Sequence, residues 1–233
     1  TGGVVGYIDS ASNVTISNCS FNGSILRQSN GITQYNSGGI LGTLDRRTGL
    51  EMINCEVSGQ IDGDVSYVGG ILGGATLCYN GGNKVARISN CVNNATISGN
   101  EYVAGIIGRS TTYQNIIIEH CTNFGEVRGE YVVSGIFAMP EETKVHISNC
   151  ANFGEISGRS NVSGILGELR TISNAYIDKC YNVGNITGIS DNMGGIGGHF
   201  AGNSFIKDCY NTGNITTGAN NIGGILRTNI GVC

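Results

Sequence analysis

The sequence is poor in proline, tryptophan and charge. Its 233 residues include one proline and no tryptophan, and 13% of them are charged. Lysine and arginine total 13 against 17 acidic residues, which gives a net charge of −4 without any basic run. Nucleic acid is attracted by a concentrated basic field, so this deficit argues against a nucleic-acid partner. No apolar run reaches the ~20 residues of a membrane helix, and we expect no membrane insertion.

The chain is rich in glycine and in short apolar runs. It contains 39 glycines, and its hydrophobic residues, 39% of the total, are spaced regularly along the whole sequence. This composition is untypical of an enzyme domain and of a disordered chain. Glycine at such a density also excludes a mainly helical fold.

Seven cysteines mark an internal repeat. Successive cysteines are separated by 36, 36, 30, 29, 30 and 29 residues. Isoleucine or methionine lies three positions before each cysteine, isoleucine or valine lies six positions after it, and a Gly-Ile element follows most of them. Seven copies in register indicate a repeat architecture. The repeated cysteines are Cys19, Cys55, Cys91, Cys121, Cys150, Cys180 and Cys209.

Each repeat predicts short strands with a corner before the cysteine. In the stretch from Cys150 to Ile156, Cys150, Asn152, Gly154 and Ile156 share one face, which is the period of a strand. An unbroken strand cannot bury both Ile147 and Cys150, because three positions separate them and alternate side chains face opposite ways. A corner must therefore lie between them, and Asn149 tolerates the left-handed backbone that a corner needs. We predict three short strands in each repeat.

Strands this short cannot bury an apolar face alone, but stacked repeats can share one. The sequence therefore predicts an all-β fold: a single-stranded parallel β-helix, or solenoid, of about seven to eight coils, with its handedness undetermined. Equivalent side chains would then form interior columns with a spacing of ~4.8 Å. We interpret residues 1–233 as one continuous solenoid domain and as a segment of a longer protein, since the sequence begins without methionine.

Two stretches resemble a known repeat family. Residues 67–73 read YVGGILG, and residues 209–216 read CYNTGNIT. They are similar to the GLUG repeat, in which V-G-G-L-V-G precedes I-x-N-[CS]-Y-x-x-G-x-[IV]-x-G. Such repeats resemble those of large bacterial surface and secreted proteins, including haemagglutinin-like adhesins and immunoglobulin A peptidases. The resemblance implies a scaffold that is extracellular or at the cell surface. It supplies no catalytic residue, because the zinc motif of those peptidases lies outside their repeats.

The cysteine column predicts packing rather than chemistry. Neighbouring thiols at ~4.8 Å suit a disulfide poorly, because its Cβ atoms approach to ~3.8 Å. Metal sites favour C-x₂-C-like spacing or convergent histidines, which the repeat lacks. We interpret these cysteines as small apolar residues that fill an inner corner, with disulfide pairing and metal binding as weaker alternatives. Cys78 and Cys233 lie outside the column and are the cysteines expected to be reactive.

Glu126 and Glu155 occupy equivalent positions in adjacent repeats and should be stacked neighbours. Such a pair suits acid–base chemistry or calcium. Other copies of the position hold serine, glutamine, threonine or asparagine, so a solvated surface row is the preferred interpretation. We assign no catalytic residue, metal or cofactor to the sequence, and we expect that it is not an enzyme.

The Gly-Ile strand is apolar on both faces, which leaves two interpretations. Either bending at the corner hides both rows of side chains, or one row faces outward as an apolar stripe that needs a partner. The candidate interaction stripe consists of Leu41, Leu72, Ile107, Phe137, Leu166 and Leu226.

The sequence as a whole predicts a non-catalytic extracellular segment with a structural or adhesive role. It would act as a rigid stalk or a surface adhesin and could assemble into fibres. Its partners would be a protein surface, a glycan surface or other copies of itself. The alternative is a carbohydrate-active or glycan-binding β-helix protein. An adhesin of this kind would hold its ligand in the irregular loops at residues 27–36 and 77–83.

Overall fold

The structure is a computed structural model that describes most of the chain. It covers residues 1–9, 13–26, 36–45, 49–63, 66–77, 85–112, 115–141, 144–170, 173–218 and 221–228; the side chains of residues 76–77, 112 and 226–228 lie outside the description. Parallel strands wind through successive coils, each pairing with its equivalent in the next coil. The predicted parallel β-helix is therefore confirmed.

Four sheets run along the described part of the rod, and we number them in the order in which the chain meets them. Sheet 1 consists of Val5–Asp9, Leu41–Asp45, Leu72–Leu77, Ile107–Thr112, Phe137–Glu141, Leu166–Leu169, Gly197–Phe200 and Leu226–Thr228. Sheet 2 consists of Asn13–Ser17, Gly49–Ile53, Val85–Ser89, Asn115–Glu119, Lys144–Ser148, Asn174–Asp178 and Asn203–Lys207.

Sheets 3 and 4 complete each turn. Sheet 3 begins with Ser20–Ile25 and Glu56–Asp62, and in each later coil it is divided into two short strands. The divided strands are Val92–Asn93 and Thr96–Ser98, Thr122–Asn123 and Val127–Arg128, Ala151–Asn152 and Ile156–Gly158, Tyr181–Asn182 and Ile186–Gly188, Tyr210–Asn211 and Ile215–Thr217. Sheet 4 consists of Ser37–Gly38, Val68–Gly69, Glu101–Ala104, Tyr131–Ser134, Ser160–Ser163, Met193–Gly194 and Ile222–Gly223.

The corner predicted before each cysteine is confirmed. One residue with positive φ, between 51° and 55°, separates sheet 2 from the cysteine in each of seven coils. Asparagine occupies four of these positions, as expected for a residue that tolerates the left-handed region. The corner residues are Asn18, Asn54, Asn90, His120, Asn149, Lys179 and Asp208.

The predicted third strand is instead two strands. The backbone bends at Gly105 and Ile106, so that Glu101–Ala104 belongs to sheet 4 and Ile107–Thr112 to sheet 1. Because of this bend, Ile106 and Ile107 both face the interior and are fully buried.

The prediction that this row could form an exposed interaction stripe is therefore wrong. Its members are buried because the bend turns their row into the core, where they pack with the aliphatic side chains of the other sheets. The exposed fraction is 1% or less for Leu41, Leu72, Ile107, Phe137 and Leu166. The side chain of Leu226 lies outside the described part of the chain.

The core is a set of vertical columns. Ile88, Ile118, Ile147 and Ile177 pair directly across sheet 2, and all four are fully buried. Parallel pairing in strict register places each side chain over its equivalent, so one choice of residue is repeated through the rod. In the described ranges, the structure has no helix long and apolar enough to cross a membrane.

We expect Ile107→Ala to lower the free energy of unfolding by about 2–5 kcal/mol, since it removes a fully buried side chain and leaves a cavity. The matched control is Ile189→Ala, because Ile189 is 74% exposed and its truncation should change stability by less than about 0.5 kcal/mol. Urea unfolding followed by far-ultraviolet circular dichroism compares the two. Equal effects would contradict the inward orientation of the row.

Candidate functional site

The cysteines form one continuous interior column. Each lies directly after the left-handed corner, and Cys55, Cys91, Cys121, Cys150 and Cys180 are buried. Cys19 and Cys209, at the two ends of the column, are half-buried. All seven are free thiols in the structure. Cys78 and Cys233 lie outside the described residues.

Six of the thiols have two backbone carbonyl oxygens within weak hydrogen-bond distance. One lies two residues earlier in the same coil, at 3.2 to 3.5 Å, and the other lies in the coil before. The Sγ atom of Cys91 donates to the carbonyl oxygen of Met52 at 3.8 Å, and that of Cys150 to the carbonyl oxygen of Ile118 at 3.7 Å. The same contact, at 3.5 to 3.8 Å, recurs at Cys55, Cys91, Cys121, Cys150, Cys180 and Cys209. The thiol therefore satisfies an inner carbonyl group as well as filling space.

The surroundings of the column keep several of its thiols protonated. Burial raises the pKa of Cys150 well above its ordinary value, and the thiols of Cys121 and Cys180 raise it further. The hydrogen bond with Cys121 raises the pKa of Cys91 to about 12. Since the thiolate is the nucleophile and the metal ligand, burial and a raised pKa predict low reactivity for Cys91 and Cys150 at neutral pH. Hydrogen bonds with Cys150 and Cys209 instead lower the pKa of Cys180 to about 4.

A column of buried asparagines runs beside the cysteines, two positions further along each coil. In four successive steps the side-chain amide nitrogen donates to the side-chain oxygen of the next asparagine at 2.7 Å. Each amide also donates to the backbone carbonyl two residues ahead at 2.8 to 3.0 Å. The ladder consists of Asn93, Asn123, Asn152, Asn182 and Asn211.

The glycine of the Gly-Ile element is required both by the asparagine ladder and by the backbone of the next coil, since a Cβ atom on Gly135 would also lie 2.3 Å from the carbonyl oxygen of Gly164. A Cβ atom on Gly135 would lie 2.4 Å from the side-chain Cγ of Asn152, and one on Gly105 would lie 2.3 Å from the Oδ1 of Asn123. Such contacts are far inside van der Waals distance, so only glycine fits against the ladder. Sequence analysis identified the shared face of Cys150 and Asn152 but missed the ladder; its signal was the repeated C-x-N pattern.

Charged side chains on the outside of sheet 1 form a closed network. The guanidinium of Arg109 pairs with Glu141 and lies 4.6 Å from the ring centroid of Tyr67. Glu141 also accepts from Arg170 at 2.7 Å, and Arg170 pairs with Glu168 at 3.3 Å. Two positive and two negative groups thereby compensate one another across three coils.

Glu126 and Glu155 lie on adjacent coils, as predicted. The backbone amide of Val127 donates to the carbonyl oxygen of Glu155 at 2.9 Å, which places the two glutamates side by side. Glu126 pairs with the largely exposed Arg128 at 2.5 Å. The pair therefore belongs to a solvated surface row, where an ion pair contributes little to stability.

A shallow groove of about 650 Å³ lies on the outside of sheet 2 in the early coils. Its lining includes the polar side chains of Asn13, Thr15, Glu51 and Arg87. Arg87 pairs with Glu119 at 2.5 Å along one side. The groove is open, and Val14, Leu50, Val85 and Ile117 line it together with the polar side chains.

The described residues contain no cluster of three or more histidine, cysteine, aspartate or glutamate side chains with metal-binding geometry. The ligand-holding loops predicted at residues 27–36 and 77–83 lie almost wholly outside the described ranges; Asn36 and the backbone of Leu77 are described. The Nδ2 atom of Asn36 donates to the Oγ1 of Thr43 at 2.9 Å.

The fold of this chain is similar to that of a solved bacterial protein. No protein-family model and no curated protein matches the sequence. A similar solved structure is that of a "putative immunoglobulin A1 protease" from Bacteroides ovatus, with 22% sequence identity and a TM-score of 0.53. The alignment covers 85% of this chain and 68% of that one. This likeness shows the fold. The GLUG resemblance stays a prediction.

We expect Asn152→Ala to destabilise the rod by roughly 2–6 kcal/mol, because it leaves the buried amide of Asn123 and the buried oxygen of Asn182 without their ladder partners. Asn211→Ala is the matched control, since Asn211 is half-buried and has one ladder neighbour. Its loss should be clearly smaller. Urea midpoints of the two variants measure the difference. An equal loss of stability would contradict the larger contribution that we assign to the fully buried, two-sided contacts of Asn152.

We expect iodoacetamide at about pH 8 to modify Cys19 faster than Cys91 or Cys150 in the folded protein, because the latter two thiols are buried and protonated. Peptide mass mapping after timed quenching gives the rate at each cysteine. In denaturing urea all three should react at similar rates. Fast modification of Cys150 in the native rod would refute the closed column.

Proposed function

We propose that this chain is a non-catalytic structural or adhesive segment of an extracellular or cell-surface protein, built from GLUG-type repeats. The observation that carries the proposal is the asparagine ladder, which runs without interruption from the buried Asn93 to the half-buried Asn211. A buried polar network whose members are all paired rigidifies the structure that contains it. This chain is accordingly a stiff spacer or display surface.

The surface chemistry supports the same role. The charged groups of the Arg109 network are engaged with one another, and the Glu126–Glu155 row is solvated. A catalytic centre would instead use ionisable groups whose pKa values are shifted inside a cleft. The structurally similar protein is described as a putative protease, and we do not transfer that activity to this chain. The likeness of fold is compatible with a scaffold that lies beside a catalytic domain.

Glycan binding is a second candidate function, and the sheet 2 groove favours it. Thr15, Glu51 and Arg87 come from three successive coils and lie in one outward row. Hydroxyl, carboxylate and guanidinium groups in such a row can exchange hydrogen bonds with the hydroxyl groups of an extended sugar chain.

The purified chain should release no reducing sugar from a panel of plant, bacterial and host polysaccharides, because the proposal assigns it no catalytic group. Small-angle X-ray scattering of the same sample should show an elongated rod below the urea transition.

Release of reducing ends that Glu51→Gln or Arg87→Ala abolishes would overturn the proposal. Retention of wild type on a glycan column, lost in those two variants without hydrolysis, would instead establish the second candidate.

A further inference from the structure

We draw no further inference here: the strongest candidate, the aromatic array that Phe124, Phe153, Tyr181 and Tyr210 form on the outside of sheet 3, carries none because nothing in the structure shows what covers it.

Discussion

Vertical register is the constraint on which the rest of this structure depends. Parallel pairing at a rise of ~4.8 Å puts each interior side chain directly over its equivalent. The asparagine ladder makes that register directional, because an amide at Asn123 finds its acceptor only if Asn152 lies one coil above it. A slip of one residue would bury polar groups without partners, at a cost of about 1–3 kcal/mol for each. The repeated asparagine therefore favours one register, and that register in turn requires asparagine at the same position of the next coil.

The ladder also links features that are far apart within one coil. Asn152 needs the space that Gly135 leaves, and the bend at that glycine turns the following apolar residues into the core. In the second coil Val57 takes the place of asparagine, and Gly39 still lies against it, with 2.5 Å between the Val57 side chain and a Cβ on that glycine. The close approach of backbone to column therefore does not depend on the amide group.

The interior columns keep mostly aliphatic, cysteine and asparagine side chains, whereas the chemistry of the outward rows differs from sheet to sheet. The outward positions of sheet 1 carry the Arg109 network, those of sheet 2 carry the groove, and those of sheet 3 carry the aromatic array. Each outward row changes character along the rod, from polar in the early coils to aromatic in the later ones on sheet 3. A scaffold of this kind separates stability from recognition, because substitutions on the outer rows leave the columns untouched.

The sequence by itself determined the repeat, the strand period, the corner at Asn149 and the cysteine column, because these depend on local spacing and on residues that are identical from coil to coil. The tertiary structure alone decided the direction of the row at Leu72 and Ile107. Alternation of side chains between two faces holds only for a straight strand. It therefore mispredicts the direction of a side chain where the backbone bends, as it does at Gly105 and Ile106. The contacts of Asn152 and the stacking of Phe124 on Phe153 were likewise decided between coils, where residues about thirty positions apart meet.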